Sequence, residues 1–427
     1  MKSILRSVFA SLLNALARAI LRQYRPSIVM VTGSVGKTST KDAIAAALSR
    51  SFYLRASEKS YNSEIGVPLT IIGASTPWAN PLAWFKVFGE GLLLLALPAH
   101  YPKLLILEVG ADHPGDMARI LRTASPSVVV VTRLPEVPVH VEAYADPAEV
   151  REEEFAPAYA LPHGAPLIIS ADDEYARTLK AGVHAAVTYY GYDAHADARI
   201  SNAAFAAVGK EAGMHATLHM GGEEFTIQAP GVLGRHQLYA PAAALATAEA
   251  LGVSAKEALR GLKSYMPPPG RARILLGANG SLLIDDTYNA SPAATEEALE
   301  SLGLVKGKRR RIAVLGDMLE LGRYSAGEHE RIGRVAAEKA DLLATVGPRA
   351  RAMADAAKLA GMPEESVHAY GSSEEAAEAL DQTIEEGDLV LVKGSQSVRM
   401  ERVVERLLAD QADIGKLARQ DKEWKRR

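Results

Sequence analysis

The chain has 427 residues, with 48 Lys and Arg against 51 Asp and Glu, and no cysteine. That length carries two or three domains with full cores. A net charge of −3 without any basic domain argues against nucleic acid as the main partner, and the lack of cysteine excludes disulfides, thiolate metal sites and cysteine nucleophiles.

Residues 1–24 carry Ile4, Leu5, Val8, Phe9, Leu12, Leu13, Leu16 and Ile20 at helical spacing, and no acidic residue precedes Asp42. Arg6, Asn14 and Arg18 interrupt this run, so it neither spans a bilayer as one apolar helix nor makes a good secretory signal. Two readings stand: a basic amphipathic helix lying on a membrane surface, or a helix packed on the first domain.

An apolar strand over 27–31 then runs into Gly33-x-x-Gly36-Lys37-Thr38, and 42–49 reads as a helix. Strand, glycine turn and helix make a phosphate cradle, in which the backbone of Gly33, Ser34, Val35, Gly36 and Ser39 turns its N–H groups onto an anion at a helix N-terminus. Lys37 is expected to reach the β- and γ-phosphates and the Thr38 hydroxyl to ligate Mg²⁺. The general pattern has four residues between its glycines, whereas two stand here. A plain Gly-Ser turn before a helix is the weaker alternative. A nucleoside triphosphate is the expected ligand.

A second apolar stretch, 77–102, holds Trp78, Trp84, Phe85, Phe88 and a leucine-rich run from Leu92 to Leu97, interrupted by Lys86 and Glu90. It is too short and too charged to span a membrane. It reads either as a membrane- or partner-facing hairpin with the first helix, or as ordinary core.

Beyond it, strand patterns at 104–109, 128–132, 166–170 and 186–190 alternate with helices such as 115–122 and 148–160. This is the signature of a doubly wound, mostly parallel α/β sheet. Alternation and turn residues over 198–229 (Gly213, Gly221, Gly222) predict antiparallel strands. Helices over 236–251 and 255–264 lead to Met266-Pro-Pro-Pro-Gly270, read as the domain boundary. Strands at 282–285, 311–315, 342–346 and 389–392 then alternate with helices in a smaller, Rossmann-like α/β domain over 267–427, after a central ATP-binding domain over 27–266. The basic tail 416–427 reads as a solvated end.

Glu108 ends the strand Leu104-Leu-Ile-Leu-Glu108. A carboxylate at the carboxyl end of a strand beside a phosphate loop is suited to Mg²⁺, although a solvated strand-end glutamate fits the same pattern.

These segments together resemble the Mur ligase family. The matching stretches are TGSVGKTSTKD (32–42), NSEIGVPLTII (62–72), LEVGADHPGDM (107–117), VHVEAY (139–144), GRHQ (234–237), GRARI (270–274), LIDDTYNASP (283–292), VLGDMLELG (314–322) and LVKGSQSVRME (391–401). DDTYNASP and LGDMLELG resemble the branch that adds D-alanyl-D-alanine to the peptidoglycan tripeptide. The resemblance implies that ATP activates an acceptor carboxylate as an acyl phosphate, which an incoming amine attacks, in the cytoplasm or at the inner face of its membrane. Lys37 and the loop backbone would hold the phosphates, Thr38 and Glu108 one Mg²⁺, and His140 a second. Arg271 matches the arginine that reaches the γ-phosphate, and Asp286 the ribose-binding carboxylate. Gln237 stands where the family's asparagine contacts adenine. Asn289, Asp317, Lys393 and Ser395 match second-domain segments facing the cleft, as nucleotide or incoming-amine contacts, with turn capping the alternative for Asn289 and Asp317, and Asn62 is expected to face substrate.

Two departures stand out. The family supplies a carbamoylated lysine to the second metal fourteen residues after the histidine; here that count lands on Glu154, and no lysine occurs in 104–179. Either the Glu154 carboxylate replaces the carbamate, or it belongs to the acidic face Glu152–Glu154 of a helix. Only 26 residues precede the first strand, so the family's UDP-binding domain is not expected within this sequence. The acceptor is therefore open: a UDP-linked peptide, a membrane-associated peptide or another poly-amino acid. An inactive nucleotide-binding scaffold is the reading from another class.

Overall fold

A computed structural model describes the chain except residues 1, 59–60, 78–79, 207–211, 306–308, 422–423 and 425–427; the side chains of 2–8 and 81 are likewise outside the described set. The expectations placed on Trp78, on the side chains of Ile4, Leu5, Arg6 and Val8 and on much of the basic tail therefore lie outside the described residues.

The helix α1 (Lys2–Tyr24) precedes β1 (Ser27–Thr32), the phosphate loop and α2 (Lys37–Leu48). There follow β2 (Leu54–Ala56), α3 (Gly66–Ile72), α4 (Pro81–Ala96) and β3 (Leu104–Glu108). Next come α5 (Asp116–Leu121), β4 (Val128–Val131), α6 (Pro147–Tyr159), β5 (Pro166–Ser170), α7 (Glu174–Leu179) and β6 (Ala186–Gly191). The meander β7 (Ala198–Ala206), β8 (Gly213–Met220) and β9 (Glu223–Pro230) completes a nine-stranded sheet of order 2-3-1-4-5-6-7-8-9. Pairing is parallel from β2 to β7 and antiparallel over β7–β9. Helix α8 (Tyr239–Ala250) packs beside α2.

β1 is apolar over Ile28–Val31 because both its faces are covered there. Val29 and Val31 enter one core, Ile28 and Met30 the opposite one. Helix α1 sinks Leu13, Leu16, Ala17 and Ile20 into the core that holds Met30. Asn14, an interruption in the sequence pattern, is a polar peg there: its amide donates to the Glu64 carbonyl at 3.1 Å and its oxygen accepts from Thr123 Oγ1 at 2.6 Å. The inner face of α1 is thus a domain contact.

A second sheet carries β10 (Arg273–Leu276), β11 (Leu282–Asp286), β12 (Arg311–Gly316), β13 (Leu342–Val346), β14 (Val367–Tyr370) and β15 (Leu389–Lys393) in the order 10-11-15-12-13-14. All its pairings are parallel except that of β10 with β11. The short strands β2, β10 and β14 escape the sequence patterns, being three or four residues long. One buried apolar cluster includes Val29 and Val31 of the first sheet and Ile284, Leu315 and Leu391 of the second. Arg133 and Glu297 pair across the two lobes, and Arg323 donates to the Ala145 carbonyl at 3.1 Å.

Candidate active site

The crevice at the carboxyl end of β1, between β3 and β4, is where a doubly wound sheet binds ligands. The chain leaves β1 through Gly33 at φ 116° and enters α2 from Gly36 at φ 89°, both left-handed. A side chain at Gly33 would collide with the Thr132 hydroxyl. Because Gly36 caps α2 directly, the helix starts at Lys37, five residues before the stretch expected from spacing. Its glycine cap has no side chain to satisfy the first-turn N–H groups, which therefore suit an anion.

Lys37 Nζ donates to the Gly33 carbonyl and lies 3.7 Å from Glu154 Oε1; the Ser34 hydroxyl donates to Glu154 Oε2. Thr32 Oγ1 fixes the Glu154 backbone carbonyl at 2.6 Å, so α6 presses this carboxylate onto the phosphate loop. Burial pushes the Glu154 carboxyl above its ordinary range, while Lys37 and Ser34 pull it back. Glu154 is here the counter-charge of the loop lysine, with the His140 ring near enough to add to the pull on its carboxyl. Hydrogen bonds on the loop side, not helix numbering, decide its direction.

Glu108 is buried at the end of β3, and its Oε2 has no hydrogen-bond partner. Desolvation drives its carboxyl up; Lys41, Lys37 and Arg271 and a hydrogen bond from Thr38 oppose that rise. An orphaned carboxylate oxygen beside a hydroxyl is a hard-oxygen donor pair, and it fits Mg²⁺. His140 differs. It stands at φ 66°, with Nδ1 2.9 Å from Glu320 Oε2 and Nε2 3.4 Å from Asp112 Oδ1. Burial alone would lower its pKa, but the two carboxylates outweigh that and raise it. His140 and Glu320 therefore meet across the two lobes in a contact that favours the protonated ring. Among the described residues no three His, Asp or Glu side chains converge as a metal site; the donor set expected for a second cation does not fit one as it stands.

Two cavities meet at this crevice. The smaller, of about 190 Å³, is bordered by Val35, Gly36, Ser39, Gln237, Tyr239 and Asp286. Gln237 Nε2 lies 2.8 Å from His236 Nε2, and the Tyr239 hydroxyl donates to Asp172 at 2.8 Å. Asp286 accepts from Lys393 Nζ at 2.7 Å and from the Ala272 N–H at 3.1 Å. The larger cavity, of about 690 Å³, is bordered by Lys37, Thr38 and Glu108 on one side and Asn289, Ser395 and Arg399 on the other. Arg271 borders both cavities and stacks its guanidinium 4.3 Å over the Tyr288 ring.

Of the residues expected to face substrates, Asn62, Asn289 and Ser395 border the larger cavity and Lys393 the smaller. Asp317 borders neither; it is buried and accepts the Ala350 N–H at 2.7 Å, which is the capping alternative. Sequence reasoning missed Glu320, Asp112, Tyr239 and Tyr288. Glu320 lies inside VLGDMLELG, so its segment was visible while its role as partner of His140 was not.

Models of two Mur ligase domains match the chain: the middle domain over residues 31–80 and 88–248, and the glutamate ligase domain over 270–396. The UDP-N-acetylmuramoyl-tripeptide–D-alanyl-D-alanine ligase of Bacillus subtilis is 27% identical over 397 residues, covering 93% of this chain and 79% of the relative. The ligase of the same name from Mycobacterium tuberculosis is 29% identical over 411 residues, covering 90% and 73%. Among solved structures, the MurF ligase of Thermotoga maritima in complex with ADP superposes with a TM-score of 0.76 at 26% identity, covering 93% of this chain and 83% of that one. A phosphate loop facing a second-lobe arginine, and similarity along both lobes, lead to one conclusion: the chain belongs to the Mur ligase family.

Proposed function

We propose that this chain is an ATP-dependent, ADP-forming ligase that joins D-alanyl-D-alanine to the terminal carboxylate of a peptidoglycan-precursor peptide. The observation carrying it is the double position of Arg271, a second-lobe cation that borders both the phosphate-loop cavity and the larger cleft. The names of the D-alanyl-D-alanine ligases it resembles supply the choice of substrates.

In this reading the N–H groups of 33–38 and Lys37 bind the β- and γ-phosphates, and Arg271 meets the charge that develops as the γ-phosphoryl group leaves ADP. Thr38 and Glu108 would hold one Mg²⁺, which when bound neutralises phosphate charge. An acceptor carboxylate oxygen attacks the γ-phosphorus, giving an acyl phosphate and ADP. The amine of the dipeptide then attacks the acyl carbon, phosphate departs and the amine loses a proton. Asn62, Asn289 and Ser395 border the larger cleft, and there they would orient acceptor and amine for in-line transfer. Gln237 and Tyr239 would face the base, and Asp286 the ribose.

ADP release measured with UDP-linked tripeptide and D-alanyl-D-alanine, together and singly, tests the reading. Release that needs both substrates and disappears in Lys37→Ala supports it. Release indifferent to either substrate, or undiminished in Lys37→Ala, refutes it.

A further inference from the structure

We propose that the outer face of α4, with the arginines of α1 beside it, rests on an anionic phospholipid bilayer. Along α4, Leu82, Phe85, Leu92, Leu93 and Leu97 are exposed, Leu82 at 79% and Phe85 at 75%. Phe85 follows Leu82 by three residues and Leu92 follows Phe85 by seven, Leu93 stands next to Leu92, and Leu97 caps the helix four residues on, so together they form one stripe down the helix. Contiguous apolar surface on this scale marks an interaction site.

The stripe is built on a firm base. Asn80 caps the start of α4, its side chain accepting from the Leu82 and Ala83 N–H groups at 3.1 and 3.3 Å. The other face of α4 packs on α1: Phe9 meets Trp84 and Phe88 edge-to-face at 4.6 and 5.1 Å, and Gly91 sits against Leu16 with no room for a side chain. At the far end Tyr24 donates to the Leu94 carbonyl at 2.6 Å. The exposed leucines are therefore held outward by packing behind them.

Charge decides the occupant. On the outer side of α1, Leu12 and Ala15 are exposed, as are Arg22 and the following Arg25, and Arg18 is half-buried. No acidic residue precedes Asp42. On α4 the single acid, Glu90, lies 3.7 Å from Lys86. A leucine and phenylalanine stripe on a helix packed against a basic one, whose arginines stand open to solvent, matches an anionic lipid surface, which needs no directional hydrogen bonds. The stripe itself offers none of the hydrogen-bonding side chains that border protein interfaces. Among the described residues no helix is long and apolar enough to cross a membrane, so the contact lies in the interface plane.

Flotation of the full chain with vesicles of phosphatidylcholine alone, or of phosphatidylcholine with phosphatidylglycerol, tests this. The expected result is binding to the anionic vesicles about tenfold or more above the neutral ones, weakened by salt. Leu82→Glu with Phe85→Glu should reduce that binding about tenfold or more, while ADP release stays at the wild-type rate. Arg22→Glu, a milder change on α1, should reduce it in the same direction. Equal binding to both vesicle types, no binding to either, or binding untouched by the double substitution overturns the proposal. So does a concentration-dependent dimer that the double substitution disperses without vesicle binding, since the stripe then faces a second copy.

Discussion

Asp285→Asn is expected to stabilise the second lobe at neutral pH. Asp285 is buried near the end of β11; its Oδ1 accepts the Thr287 N–H at 3.3 Å and hydroxyl at 2.6 Å, and its Oδ2 has no hydrogen-bond partner. Burial pushes its carboxyl from 3.8 up to about 6, against the pull of the Thr287 hydrogen bonds. The folded chain thus holds this proton more tightly than the unfolded chain. The resulting cost is absent below pH 3.8, grows as pH rises towards about 6 and is complete above that. At pH 7 it amounts to about 3 kcal/mol. Asparagine keeps the acceptor for Thr287 and removes the charge, but leaves a buried amide nitrogen without a partner at a cost of about 1 kcal/mol. The net gain of about 2 kcal/mol raises the lobe's transition by about 4–8 °C. Scanning calorimetry at pH 7.5 and pH 5 reads it, with the smaller gain at pH 5. No gain at pH 7.5, or a gain independent of pH, refutes the reasoning.

Lys37→Met should lower kcat/KM for ATP by about a hundredfold or more, because one charge-assisted phosphate contact is lost where charge develops; a loss below about tenfold in a coupled ADP assay removes Lys37 from that role. Glu154→Gln strips Lys37 of its counter-charge, so KM for ATP should fall while the half-saturating Mg²⁺ concentration stays within about twofold of wild type. A raised Mg²⁺ requirement would return Glu154 to cation binding. Glu320→Gln removes the carboxylate 2.9 Å from His140 Nδ1 and leaves the opposing effect of burial, so the His140 ring should titrate at lower pH by NMR. An unmoved or higher titration would mean that Asp112 or another group holds it.

What the sequence made legible follows from chain locality. The phosphate loop is contiguous, and its glycines, lysine and threonine announce their chemistry before any folding is known. Buried parallel strands are equally plain, because β1, β4 and β15 are apolar on both faces. Even so, apolar spacing sets the start of α2 five residues late, since it cannot register a helix launched from a left-handed glycine. Glu154 shows the opposite limit. Counting from His140 located the residue, but its direction was fixed by Ser34, Lys37 and Thr32, more than a hundred residues away in sequence. Glu320 was hidden for the same reason: no local pattern reveals a partner on another lobe.

The position of Arg271 depends on groups that look unrelated in sequence. Gly270 at φ 70° and Ala272 at φ 54° bracket it in left-handed backbone, which is costly for an alanine unless its surroundings enforce it. The enforcement is the Asp286 carboxylate, which accepts the Ala272 N–H and is itself neutralised by Lys393. Lys393 also donates to the Asn289 carbonyl at 3.0 Å, tying the ends of β11 and β15 to the same knot. The guanidinium is then seated over Tyr288. Asp286 and Lys393, both expected from sequence to touch ligands, thus share a second task, holding the backbone that aims a cation at the phosphate loop. A ligand-facing motif and the scaffold behind it are here the same few side chains.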